Sequence, residues 1–241
     1  MTKIAEGIQF VAGQDEFIPD SHVYIIGDPA SGDLSMIDVG LTGKGNYKIG
    51  AIKRMGIDLS SIKRVIMTHT HLDHIGCLSE IQKQIPGVEL WVHTMEAELL
   101  EKGQDNAVYG MKEFKNMCQM QYGLKDEAFA FKVDCKLEGG ETLNLGNMEW
   151  EVIHIPGHSM GGIALYSRAL KTLIPGDVIY ADYAIGRFDL YGANAAQLKA
   201  SLYRLAELEV GMLLPGHNQI AKNLPADYVI KTAKAWEPYL T

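Results

Sequence analysis

The chain has 241 residues, with 30 acidic against 22 basic side chains and a formal net charge of −8 at neutral pH. That length buries a sizeable core in a single domain over residues 1–241, and the acidic balance argues against broad contact with a phosphate backbone, so no nucleic-acid partner is expected. The start of the chain lacks a basic run followed by an apolar one, no apolar stretch approaches the ~20 residues of a membrane helix, and Cys77, Cys118 and Cys135 form no C-x-x-C pair. A cytoplasmic protein with no membrane partner and no disulfide framework is expected.

In chain order, β-branched apolar runs predict strands near residues 22–27, 34–38, 63–67 and 88–92. Further strands are expected near 142–145, 149–155, 162–167, 171–175 and 211–214. Helical spacing falls at about 46–55, 76–85, 95–103, 110–122 and 195–208, where Leu198, Leu202, Leu205 and Leu208 form an apolar stripe. Asp227 to Tyr239 reads as a closing helix. This patterning alone supports α/β or α+β. In 95–122, Met111, Phe114, Cys118 and Tyr122 keep helical spacing, which fits plain core packing; the same Met-rich segment could also wall a substrate pocket.

The densest chemistry is Thr68-His69-Thr70-His71-Leu72-Asp73-His74-Ile75-Gly76. It follows the strand-like Arg64-Val65-Ile66-Met67 and precedes a helical pattern, so it occupies a strand-to-helix loop. If the chain stays extended through His69 and His71, their side chains point to one side and can grip one metal ion. Asp73 and His74 lie where the chain turns and can serve a second ion. Imidazole and carboxylate donors suit zinc best, with iron and manganese as alternatives.

This segment resembles the histidine motif of the metallo-β-lactamase fold superfamily. The resemblance extends over residues 22–217 through Met36-Ile37-Asp38-Val39-Gly40, Ile155-Pro156-Gly157-His158-Ser159, Leu173-Ile174-Pro175-Gly176-Asp177 and Leu213-Leu214-Pro215-Gly216-His217. It implies a four-layer αββα sandwich holding two divalent metal ions. His69, His71 and His158 would hold one and Asp73, His74 and His217 the other, with Asp177 between them and Asp38 supporting a ligand histidine. A bridging hydroxide would be the nucleophile, since a bound ion lowers the pKa of water from 15.7 to about 7.

A rival reading sits in the same residues. Gly157-His158-Ser159-Met160-Gly161-Gly162 also spells the G-x-S-x-G elbow of serine esterases, but an elbow serine opens a helix, whereas 163–174 reads as a hairpin and no HGGG motif lies upstream. Within the superfamily, Ile185-Gly186-Arg187-Phe188-Asp189-Leu190 is similar to a stretch of glyoxalase II-like thioesterases. Only 24 residues follow His217, where those enzymes add a glutathione-holding domain. Tyr180 follows Asp177 at the spacing of the tyrosine in acyl-homoserine-lactone lactonases, where it would polarise the carbonyl or protonate the leaving oxygen. Asp73 and Tyr180 are the catalytic candidates. The expected function is hydrolysis of a small ester, thioester or lactone, with a persulfide dioxygenase or a small-phosphodiester hydrolase as alternatives. A homo-oligomer is compatible with everything above, and His22, His93 and His154 are expected to be structural.

Overall fold

The computed structural model describes residues 3–14 and 18–241. In chain order the first part comprises β1 (Lys3–Ala5), β2 (Ile8–Val11), β3 (Val23–Ile26), β4 (Leu34–Ile37), α1 (Gly45–Arg54), β5 (Ile62–Ile66), α2 (Leu72–Ile75), α3 (Leu78–Gln84), β6 (Glu89–His93), α4 (Thr94–Glu101), α5 (Asn106–Tyr109), α6 (Lys112–Tyr122) and β7 (Cys135–Leu137). The second comprises β8 (Thr142–Leu145), β9 (Met148–His154), β10 (Ile163–Ser167), β11 (Thr172–Ile174), α7 (Ala195–Leu205), β12 (Met212–Leu213), β13 (Ala221–Lys222) and α8 (Tyr228–Trp236).

The strands form one sheet of seven, in the order β1 to β7, and one of six, in the order β13-β12-β11-β10-β9-β8. β1 to β4 are antiparallel neighbours. From β4 to β7 the pairing is parallel, and each return is made by helices, as a parallel crossover requires. In the second sheet only β11 and β12 pair in parallel, with α7 in the crossover between them.

Alternation along the strands separates three apolar layers. Val23, Ile25, Leu34, Met36, Val65 and Leu90 face the helices α1 to α6. Their neighbours Tyr24, Ile26, Ile37 and Ile66 face inward and meet Trp150, Val152, Ile163, Leu165 and Ile174 of the second sheet. Ala164, Tyr166 and Leu173 face outward against Leu198, Leu202, Leu205, Tyr228 and Val229 of α7 and α8. Strands buried on both faces must be apolar almost throughout, and β3 and β4 are fully buried as Val-Tyr-Ile-Ile and Leu-Ser-Met-Ile. The result is the four-layer αββα sandwich. No helix among the described residues is long and apolar enough to cross a membrane.

The structure departs from the sequence expectation in detail. β1, β2, β7 and β13 were not expected; each has only two to four residues, too few for a period-two pattern to register. The helix expected from residue 76 begins instead at Leu72, with His71 in extended conformation before it, and restarts at Leu78. The segment 110–122 is cut at Gly110, whose left-handed backbone (φ +73°) caps α5 before α6 begins.

Candidate metal centre

Every expected site residue sits just beyond the carboxyl end of a strand. Asp38 follows β4, His69 to His74 follow β5, His158 follows β9, Asp177 follows β11 and His217 follows β12. The two sheets therefore open a cleft between them at one end, the position where α/β folds place ligands. Three of these residues arrive on the same dipeptide: Pro156-Gly157 before His158, Pro175-Gly176 before Asp177 and Pro215-Gly216 before His217. At Gly216 a Cβ would stand 2.2 Å from Asp177 Oδ1 and 2.6 Å from His74 Cε1, so only glycine lets the chain pass.

The structure brings the seven ligand candidates into two groups. His69, His71 and His158 form one; Asp73, His74, Asp177 and His217 form the other; within each group the ligand atoms lie within 4.8 Å of one another. Asp177 reaches both, with Oδ1 3.3 Å from His74 Nε2, and Oδ2 3.4 Å from His217 Nε2 and 3.9 Å from His158 Nε2. Asp38, held in left-handed conformation at φ +57°, accepts from Thr68 N (2.8 Å), Thr68 Oγ1 (2.7 Å) and His74 Nδ1 (2.8 Å). One carboxylate thus fixes the strand-to-helix loop and orients a ring.

The donor chemistry fits a cation. Thr68 Oγ1 spends its proton on Asp38, so at 3.1 Å it accepts from His69 Nδ1, while His158 Nδ1 donates to the Arg187 carbonyl at 2.7 Å. Both rings then present an unprotonated Nε2, and these two atoms face each other 3.2 Å apart. Two lone pairs at that distance repel unless positive charge lies between them. His71 Nε2, His74 Nε2 and Asp177 Oδ1 are likewise buried without a hydrogen-bond partner, a cost that ligation of a metal ion removes.

Electrostatics separate the groups. Burial, reinforced by neighbouring imidazoles, holds His69 well below the usual histidine range and His71 at about 3, and burial lowers His158. In the second group burial opposes the charges, yet Asp177, Asp38 and Asp73 hold His74 well above its usual value and Asp177 and Asp73 raise His217. Against the same burial, His74 and His217 pull Asp73 down to about 2, and His217 and His74 keep Asp177 ionised.

Above the ligands lies a cavity of about 460 Å³. Its floor includes His71, Asp73, His158, Asp177 and His217, and its wall includes Val108 and Tyr109 of α5, Met111 just before α6, Phe114 and Met117 of α6, and Leu190. Segment 95–122 therefore serves two ends: Cys118 packs in the core while Phe114 and Met117 also line the cavity. Tyr180 lines it too; burial and the nearby Asp177 carboxylate hold its hydroxyl protonated, well above the usual phenol range. Arg187 reaches the cavity rim, where Nε and Nη2 pair with Asp189 at 2.7 and 2.8 Å.

The serine elbow is not formed. The chain after Ser159 continues as β10, paired with β9 and β11, and not as a helix. His22, His93 and His154 stand outside both ligand groups. His22 accepts from Gly13 N (2.9 Å) and bonds the Asn218 carbonyl (2.7 Å), strapping an N-terminal loop to the turn that carries His217. Thr68 and the Arg187 carbonyl hold ligand rings and were missed by sequence reasoning, because a hydroxyl and a backbone oxygen carry no signal in a single chain.

A family model described as the metallo-beta-lactamase superfamily matches residues 19–217. Among curated proteins, the probable metallo-hydrolase YqgX of Bacillus subtilis is 28% identical over 73% of this chain and 74% of its own length. The acyl-coenzyme A thioesterase MBLAC2 of Gallus gallus is 31% identical over 63% of this chain, but this chain spans only 55% of that protein. Among solved structures, BLEG-1 B3 metallo-beta-lactamase superposes with a TM-score of 0.68 at 26% identity, covering 92% of this chain and 94% of the other.

Proposed function

The chain belongs to the metallo-beta-lactamase superfamily, and from that premise we propose that it is a dinuclear metal-dependent hydrolase of a small ester, thioester or lactone with an apolar acyl part. The observation that carries this reading is the pair of ligand groups at the floor of an apolar-walled cavity. His69, His71 and His158 would hold one ion; Asp73, His74 and His217 the other; and Asp177, whose carboxylate reaches both groups, would be shared. Two divalent ions there would supply an activated water at neutral pH and positive charge for the oxyanion of an acyl-transfer intermediate. Zinc is the ion this donor set suits best, and iron or manganese accept the same ligands.

The remaining chemistry belongs to the protein. Asp73 is kept ionised, at about 2, so it serves as a ligand and as an acceptor that orients the attacking water rather than as a strong base. Tyr180, kept protonated beside Asp177, donates to the developing oxyanion or to the leaving oxygen. The α5–α6 wall takes the acyl portion and excludes water from it, while Arg187 at the rim faces an anionic leaving group. The similarity to an acyl-coenzyme A thioesterase supports a thioester among these substrates.

Elemental mass spectrometry of protein purified without chelator, followed by a panel of lactones, coenzyme A and glutathione thioesters, phosphodiesters and persulfides, tests the reading. Two zinc ions per chain and turnover of acyl esters or thioesters support it. One iron per chain with oxygen consumption on a persulfide replaces it with an oxygenase. Turnover that survives Asp177→Asn but is abolished by Ser159→Ala returns the serine mechanism.

A further inference from the structure

The three-histidine group depends on two loops from different sheets, residues 68–71 after β5 and 158–161 after β9. A backbone hydrogen bond, Ile163 N to the Thr68 carbonyl at 2.8 Å, joins them at the base. Closer to the ligands they meet a third element. α4 starts at Thr94, capped by His93, whose Nδ1 accepts from Met95 N at 3.3 Å. That cap aims the first turn of α4 at the loops, and Glu96 projects between them, only 1% exposed.

Glu96 Oε1 accepts from Gly161 N at 3.2 Å. Burial raises the Glu96 pKa, and Thr70, which stands between two ligand histidines, and Ser159, which follows the third, favour its charged form against that burial. The Thr70 and Ser159 hydroxyls and Glu96 Oε2 are buried and make no hydrogen bond. A Cβ at Gly161 would fall 2.7 Å from Glu96 Cγ, so the loop is pressed onto the acid. The same loop is gripped from the other side by His154, whose Nε2 donates to the Met160 carbonyl at 3.0 Å and whose ring stacks on His93 at 4.0 Å. A carboxylate in so dry a place costs free energy unless it is used, and nothing in the cavity touches it.

We infer that Glu96 is a positioning residue for the three-histidine ion: by accepting from Gly161 it holds the loop that carries His158 against α4, and so sets where His158 stands relative to His69 and His71. The inference rests on the metal-centre reading above. It gives Glu96 no contact with the second ion, whose ligands come from α2 and from the turns after β11 and β12.

The test loads metal-free protein with cadmium, counts ions by ¹¹³Cd NMR, which separates a three-histidine site from a mixed carboxylate site, and measures affinities by competition with a chromophoric chelator. Wild type is expected to give two signals. Folded Glu96→Ala is expected to bind the three-histidine ion about 10- to 100-fold more weakly, as loss of a ligand-supporting group does, with the second ion unchanged. Glu96→Gln, which keeps one carbonyl acceptor, is expected to fall between, and it decides the matter if the alanine variant does not fold. Wild-type affinity at both sites in a folded variant, or equal weakening at both together with a lower melting temperature of the metal-free protein, would overturn the positioning role while leaving the metal centre standing. Absence of both signals in wild type would overturn the metal centre itself and this inference with it.

Discussion

The floor of the cavity and its wall are built in opposite ways. At and beneath the floor, three of the ligand rings are each pinned by a second group: His74 by Asp38, His69 by Thr68, His158 by the Arg187 carbonyl. The wall is a pair of short helices presenting methionine and phenylalanine, with Met111 partly exposed at 39% and the Tyr109 hydroxyl buried without a hydrogen-bond partner. Chemistry tolerates little displacement of its ligands, so the floor is over-determined. Recognition of an apolar chain needs only area and shape, which flexible thioether side chains supply.

Substitutions should therefore act differently on the two regions. The largest effect is expected on the floor: His71→Ala or Asp177→Asn should reduce turnover by at least about 100-fold, more than loss of a supporting group costs, with metal content falling in step. Retained metal and turnover would break the comparison at its strongest point. Asp38→Ala leaves every ligand in place but frees the His74 ring and Thr68; a drop of about 10- to 100-fold in affinity for the second ion is expected by chelator competition.

On the wall, Met117→Trp should fill part of the cavity. For long acyl chains the KM is expected to rise about tenfold, the scale of one methylene in an apolar pocket, while short-chain turnover and metal content stay unchanged. A drop in metal content would mean that wall and floor are coupled.

The smallest effect concerns pH. Burial and the stacked His154 ring push His93 down to about 4 from an ordinary value of 6.5. Above pH 6.5 the ring is neutral whether the chain is folded or not. As pH falls from 6.5 toward 4 the unfolded chain takes up the proton and the folded one resists it, so stability is lost over that window. His93→Asn, which keeps an acceptor at the helix cap, should flatten the acid limb of a urea-denaturation series; an unchanged slope would remove His93 from the account.

The same contrast governs how much could be read in advance. Ligand positions were legible because histidine and aspartate clustered beside a strand end are rare in solvated loops, and because the resemblance supplied His158, Asp177 and His217. Asp38 was legible only through that resemblance. Glu96 was not: in a single sequence an acid in the first turn of a helix looks like a solvated charge, and only the packing of two foreign loops over it makes it buried. The wall was half legible, since Met111, Phe114, Cys118 and Tyr122 keep the same spacing whether they face a core or a cavity. Short strands such as β7 and β13 are defined by their neighbours in the sheet rather than by their own pattern.

The passage of the backbone at Gly216 has a consequence for how this chain can change over generations. Any side chain there would enter the space between Asp177 and His74, so a saturation library at that codon should return glycine alone among active clones. At Met111 or Met117, many apolar residues should survive selection. New substrate preferences are then reachable by drift along one pair of helices, while the catalytic end of the molecule is held still by a residue that has no side chain.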